Sequence, residues 1–168
     1  MSGSGVTSTG VGLLDILNAV SELSQIDVLV GVPHGEARTE DDGMTNAAIG
    51  YLLETGSPAM NLPARPHLVP GVEEVQDLVA EKLTWAVDAA LTGNAKRMYF
   101  YLESAGMKAT MNVKRFINRG DFAPLAPLTI AERKRRGRKS EKPLVDTGQY
   151  RNSHTYIVMR GEEEIKRA

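Results

Sequence analysis

No cysteine occurs anywhere in the 168 residues. Disulfides, thiol nucleophiles and thiolate metal sites are thereby excluded, and a reducing compartment is permitted. Aromatic residues are scarce at 5%, with Trp85 the single tryptophan, so rows of bases stacked on rings are not expected. Neither sign of charge dominates. The formal net charge is −1, so no overall field draws the chain to DNA or a membrane, and any such affinity is local. No stretch approaches the roughly 18 consecutive apolar residues of a transmembrane helix. The opening MSGSGVTSTG has neither a basic region nor an apolar run and does not read as a signal peptide. Enzyme signatures are also missing: no P-loop, no G-x-G-x-x-G after a strand, and no G-x-S-x-G around Ser57 or Ser153.

What is present suits one domain. Apolar residues make up 42% and charged residues 24%, ordinary values for a globular chain of a length that buries a real core. Residues 1–10 read as a flexible Gly/Ser/Thr arm and 11–168 as a single α+β domain.

The chain is organised around residues 46–70. An apolar helix bearing Ile49, Tyr51, Leu52 and Leu53 carries one acid, Glu54, and stops at Gly56. Pro63, Pro66 and Pro70 then predict a stiff extended segment, cheap to order and suited to making contacts. Upstream, residues 11–23 have the spacing of an amphipathic helix, and 26–33 alternate as a strand ending at Pro33. Residues 34–43 read as a polar loop. From Gly71, an apolar stripe through Val75, Val79 and Leu83 predicts one long helix. Residues 92–94 turn it back into a second helix through Met98, Leu102 and Val113, which Gly106 is expected to split or kink. A short helix is expected from Thr129, with Glu132 completing a capping box. Residues 153–160 alternate as a strand, and the tail is expected to add a short edge or fray. The predicted fold is a small antiparallel sheet covered by a long helical hairpin.

Candidate chemistry is thin. His34, His67 and His154 lack metal-ligand spacing and read as surface or turn histidines. Glu54 and Asp146 form a conceivable carboxylate pair, but Glu54 reads better as a partner of Arg65 or as the cap of a neighbouring loop. No cofactor, metal or small molecule is expected. Seven Lys or Arg within 133–142 could neutralise phosphates without reading sequence. Arg133, Arg135, Arg136, Arg138 and Lys139 are therefore the candidate DNA contacts.

Three stretches, in order, resemble one family. Asn46-Ala47-Ala48-Ile49-Gly50-Tyr51 with Glu54 and Gly56, followed by residues 62–68 (LPARPHL), resembles the N-x-x-I-G-Y-x-x-E-x-G … I-P-A-R-P-F-L core of tailed-phage neck and tail-completion proteins. Phe122-Ala123-Pro124-Leu125 with Thr129 and Arg133 is similar to that family's F/W-x-P-L … T-x-x-x-R. Residues 142–153 (KPLVDTGQYRNS) are similar to its K-P-L-x-D-T-G-x-L-R-x-S. Gly106, Val113-Lys114 and Ile117 fit between them. The resemblance runs from about 26 to 158 and reaches the virion morphogenesis proteins of Mu-like phages. Leu62, His67 and Tyr150 depart from the pattern, standing where Ile, an aromatic and Leu are usual.

The resemblance implies a structural, non-enzymatic virion protein at the head–tail junction, assembled in the host bacterial cytoplasm. It would join a tail to a DNA-filled head as a homo-oligomeric ring, a hexamer being favoured. Its neighbours would be head-closure, tail-terminator or tail-tube proteins, with no membrane partner. A ring needs two complementary patches: 56–70 is expected to be one, with 143–153 near it. Tyr51, Glu54, Pro63 and Arg65 are the expected subunit or partner contacts, together with Pro66, Asp146 and Arg151. Arg65→Ala is expected to leave folding nearly intact. The alternatives are a tail terminator capping the tail tube or a nucleic-acid-binding module built on 133–142; a hydrolase has little support.

Overall fold

The computed structural model describes residues 12–35 and 44–167. The arm expected over 1–10 and most of the expected 34–43 loop lie outside the described residues. The element order is α1 (Leu13–Leu23), β1 (Ile26–Gly31), α2 (Asn46–Thr55), a 3-10 turn (Pro58–Met60), α3 (Leu68–Glu73), α4 (Gln76–Leu91), α5 (Ala95–Arg119), α6 (Pro127–Arg135), α7 (Gln149–Asn152), β2 (Thr155–Arg160) and β3 (Glu163–Arg167). The fold is α+β, as the patterning predicts.

The three strands form one antiparallel sheet with β2 in the centre. Val28 sits opposite Val158 and Val30 opposite Tyr156. Tyr156 and Val158 are buried on alternate positions of β2, so one face of the sheet turns to the helices. Helix α5 lies on that face and α4 packs back against it, the turn between them being made by Gly93 at φ +72° and by the Asn94 cap on Arg97 N. The tail forms β3, whose Glu163, Glu164, Lys166 and Arg167 give the sheet a charged edge.

Several expectations are corrected. Helix α5 runs unbroken through Gly106. The glycine serves close packing, because a Cβ there would lie 2.7 Å from Tyr156 Cγ. The expected long helix from Gly71 is two helices, α3 and α4, parted at Glu74 and Val75. The Pro-rich segment is not extended to Pro70: it becomes helical at Leu68, and Pro70 occupies the first turn, where no backbone donor is needed. Helix α6 starts at Pro127 on an Ala126 cap. Thr129 therefore lies inside it, and Glu132 turns to Arg135 and Arg136 instead of closing a capping box.

The core divides in two. One cluster joins Ala86, Ala90, Met98 and Leu102 of the hairpin to Ile26 and Val28. The other joins Val113 and Ile117, in the second half of α5, to Leu144 and Tyr150, with Ile49, Leu53 and Leu68 packed around them. The second cluster seats the candidate site.

Candidate functional site

Glu54 sits in the last turn of α2, which Thr45 begins by accepting from Ala48 N at 3.1 Å and Gly56 ends at φ +75°. No side chain fits at Gly56, since a Cβ would fall 2.7 Å from Ala64 N. The chain therefore doubles back, and the Glu54 carboxylate meets the start of α3. Its Oε2 accepts from His67 N (2.8 Å) and Leu68 N (3.0 Å), and Oε1 from Val69 N (3.1 Å). These are the donors that the first turn of a helix leaves without partners. Burial pushes the carboxyl up, but the three backbone donors and His67 outweigh it and hold Glu54 below its ordinary value. Glu54 thus caps the neighbouring segment.

Arg65 does not pair with Glu54. Its Nε donates to Ala123 O at 2.7 Å and its Nη2 to Pro124 O at 2.9 Å, with the residue 4% exposed. Both donating groups face inward, binding the 62–67 segment to the Phe122–Leu125 stretch. Arg133 acts in the same way in the adjoining layer. Its Nη1 donates to Ser140 O, Lys142 O and Val145 O at 3.1, 2.9 and 3.3 Å. This clamp surrounds Leu144, buried at φ +62°, a left-handed conformation that costs a non-glycine residue on the order of 1–3 kcal/mol. Asp146 is ion-paired to Arg138 and lies 3.7 Å from Arg133 Nε. Arg151 donates to Asn118 Oδ1 at 3.1 Å, tying α7 to the end of α5.

His67 and His154 are not surface histidines. Each is 1% exposed, and their rings lie 5.5 Å apart against Tyr150. His67 Nδ1 faces two acceptors, Arg65 O at 2.8 Å and Glu54 Oε2 at 3.0 Å, which assigns the proton to Nδ1 and leaves Nε2 to accept from the Tyr150 hydroxyl at 2.6 Å. Burial and then the charge of Glu54 push the Tyr150 phenol up, so it stays protonated as a donor. A Glu–His–Tyr relay resembles a reaction centre, but this one is saturated. The carboxylate is occupied by three amides, and the hydroxyl packs against Gly50, where a Cβ would meet it at 2.9 Å. The relay holds three segments together. Asn112 supplies a further link that sequence reasoning missed: buried in α5, it donates to Gly71 O at 2.8 Å and Glu74 Oε2 at 2.7 Å. An asparagine at a helix's apolar stripe is the signal that could have found it.

A cleft of about 650 Å³ opens beside these braces, walled by Leu53, Leu62, Arg65, Leu125, Arg133 and Tyr150. All three motif-bearing stretches contribute to it. Pro63, Pro66 and Tyr51 are exposed, Tyr51 at 70%. Glu54 and Asp146 do not converge as a catalytic pair: each is engaged by its own donors. Among the described residues no group of three or more His, Asp or Glu is placed to hold a metal ion, and no helix is long and apolar enough to cross a membrane.

The basic stretch is largely engaged within the chain. Arg135 and Arg136 both grip Glu132, holding its carboxyl down to about 2. Lys134 pairs with Glu141 at 2.8 Å, and Arg138 with Asp146. Arg133 points inward, while Lys139 is exposed. Residues 132–146 still hold seven Lys or Arg against three acids, a surplus of four.

No protein-family model, curated protein or solved structure matches this chain.

Proposed function

We propose that this protein is a structural subunit of a tailed-phage virion, a neck or tail-completion protein that joins a tail to a DNA-filled head and works as a ring around the DNA channel. One observation carries the reading. The three separate stretches that resemble such proteins meet around one cleft and bond to one another: Glu54 to 67–69, Arg65 to 123–124, and His67 to Tyr150. Motif residues used as braces belong to a protein whose product is a rigid surface, with Tyr51, Pro63 and Pro66 displayed on it. The exposed apolar side chains on α1, α4 and α5 fit a subunit that buries surface on assembly.

The test is a phage particle assembled without the protein. Full heads and finished tails that accumulate unjoined support the reading. Tails of uncontrolled length would instead assign the tail-terminator role, and normal infectious particles would overturn both. The surplus positive charge of 132–146 supports a channel-facing position for α6. Charge reversal at Arg135, Arg136 and Lys139 should then weaken DNA retention, with a salt-dependent loss of binding to duplex DNA.

A further inference from the structure

Arg65 carries a buried charge without a counter-charge. The residue is 4% exposed, and its Nε and Nη2 are occupied by Ala123 O and Pro124 O. Its remaining donor group, Nη1, has no acceptor among the described residues, and Arg65 makes no ion pair there. Burial lowers the guanidinium from its ordinary value, the charge of Arg133 lowers it further, and no carboxylate raises it. Buried charges are ordinarily paired, because leaving water is costly for an ion without a partner. The two carbonyls supply dipoles but no negative charge.

This cation lies in the wall of the cleft of about 650 Å³, a size usual for a ligand site. Arg133 lines the cleft too, and the one acid in the lining, Asp146, is ion-paired with Arg138. Leu53, Leu62 and Leu125 make the sides apolar. The lining therefore suits a single negative charge on an apolar body, since Asp146 opposes a second one. Asn61 and Thr129 also line the cleft, are exposed, and their side chains make no hydrogen bond among the described residues. An amide and a hydroxyl are thus free for a ligand with amide groups of its own.

We propose that the cleft binds the C-terminal end of a neighbouring protein, with the terminal carboxylate at Arg65 Nη1 and the last apolar side chain among Leu53, Leu62 and Leu125. The inference rests on the reading of this protein as one part of a larger assembly and names what a neighbour presents to it. A chain end brings together one negative charge, an aliphatic side chain and backbone amides for Asn61 and Thr129. An acidic side chain in the middle of a segment brings the charge without an apolar group on the same residue. A phosphate brings more charge and no apolar body. The bond to the carboxylate is charge-assisted, and Arg65 is already held in place by Ala123 O and Pro124 O, so little ordering opposes binding.

The experiment titrates the full chain with a short acetylated alanine peptide that ends in leucine with a free carboxylate, read by backbone amide resonances. Saturable shifts are expected at Leu125 and Thr147. The same peptide with an amidated end should bind about ten- to a hundredfold more weakly, the worth of one hydrogen bond between charged groups. Thr129→Trp, at an exposed lining position, should block entry and abolish the shifts, with circular dichroism and thermal melts showing that it is folded. Arg65→Gln should lose the discrimination between acid and amide; if it does not fold, the peptide pair and Thr129→Trp decide. No binding by the free acid, equal binding by acid and amide, or unchanged binding in Thr129→Trp overturns the inference. Binding as tight by an amidated peptide with an internal glutamate, or by octanoate, overturns the chain end as ligand and assigns the cleft to a side chain or a small carboxylate. These outcomes leave the neck reading standing, which particles assembled without the protein test separately.

Discussion

His67 Nε2 lies 2.6 Å from the Tyr150 hydroxyl, a buried bond between residues 83 positions apart. These are two of the three places where the chain departs from the pattern it resembles, which has an aromatic and a leucine there. Two apolar side chains can fill that space with no polar group to satisfy. Here two polar ones fill it and satisfy each other. A leucine at 150 would leave His67 Nε2 buried without a donor; Tyr150 supplies it, while Nδ1–H is held by Arg65 O and Glu54.

Removing one member should therefore cost more than removing both. Tyr150→Phe strands the His67 acceptor and is expected to lower stability by about 1–3 kcal/mol. The double variant His67→Phe/Tyr150→Phe should recover much of that loss, and His67→Phe alone completes the cycle. Urea unfolding of the four proteins in the cycle reads the coupling; additive losses would mean that the bond contributes nothing beyond packing.

Acid should unfold the brace through His154. Burial, with the neighbouring His67 and Lys114, outweighs its bonds to Tyr150 O and Arg151 O and lowers it from 6.5 to about 4. The folded state thus holds this imidazole neutral where the unfolded chain protonates it. Stability from this group is complete above about pH 6.5 and is lost as pH falls toward 4, a total of order 3 kcal/mol. Glu54, held below its ordinary value, adds a further loss below about pH 4.5. Unfolding free energies at pH 8, 6 and 5 should show the slope, and His154→Asn, whose amide can replace Nδ1–H, should flatten it. An unchanged slope in His154→Asn would assign the acid sensitivity elsewhere.

The α+β class, the hairpin and the β1–β2 pairing were legible because period-2 and period-3.6 patterns reflect burial directly. The turn at 92–94 and the stop at Gly56 were legible from the residues that backbone geometry demands. The histidines were misread because spacing along the chain says nothing of partners 83 residues away. Pro70 was misread because its tolerance depends on a cap that comes from Glu54, fourteen residues before Leu68. The outward stripe of α1 was hidden for a related reason: periodicity finds an apolar face but not the direction it turns.

Gly106 tests how tightly α5 sits on the sheet. Helix propensity alone favours alanine over glycine by about 1 kcal/mol. A Cβ here would lie 2.7–2.8 Å from three atoms of Tyr156, which must move in a packed layer. Gly106→Ala is expected to destabilise by about 1–3 kcal/mol despite its better propensity, as a lowered thermal midpoint. A midpoint equal to or above that of the wild type would show that the interface between α5 and β2 yields readily.

Arg65 is the sharpest case for brace against contact. Its fork serves Ala123 O and Pro124 O in a buried setting, and losing it strands both carbonyls beside the cleft. Arg65→Ala should cost at least about 2 kcal/mol, contrary to the mild effect expected of a surface contact. Arg65→Lys keeps the charge but cannot reach both acceptors with fork geometry, so it should fall between. Chemical denaturation orders the three proteins, and head–tail joining by each can then be compared at a temperature where all are folded. Joining that fails in Arg65→Ala while the fold is intact would make Arg65 act on the partner. Joining that persists there would leave it with the brace alone, and the displayed Tyr51, Pro63 and Pro66 as the surface it supports.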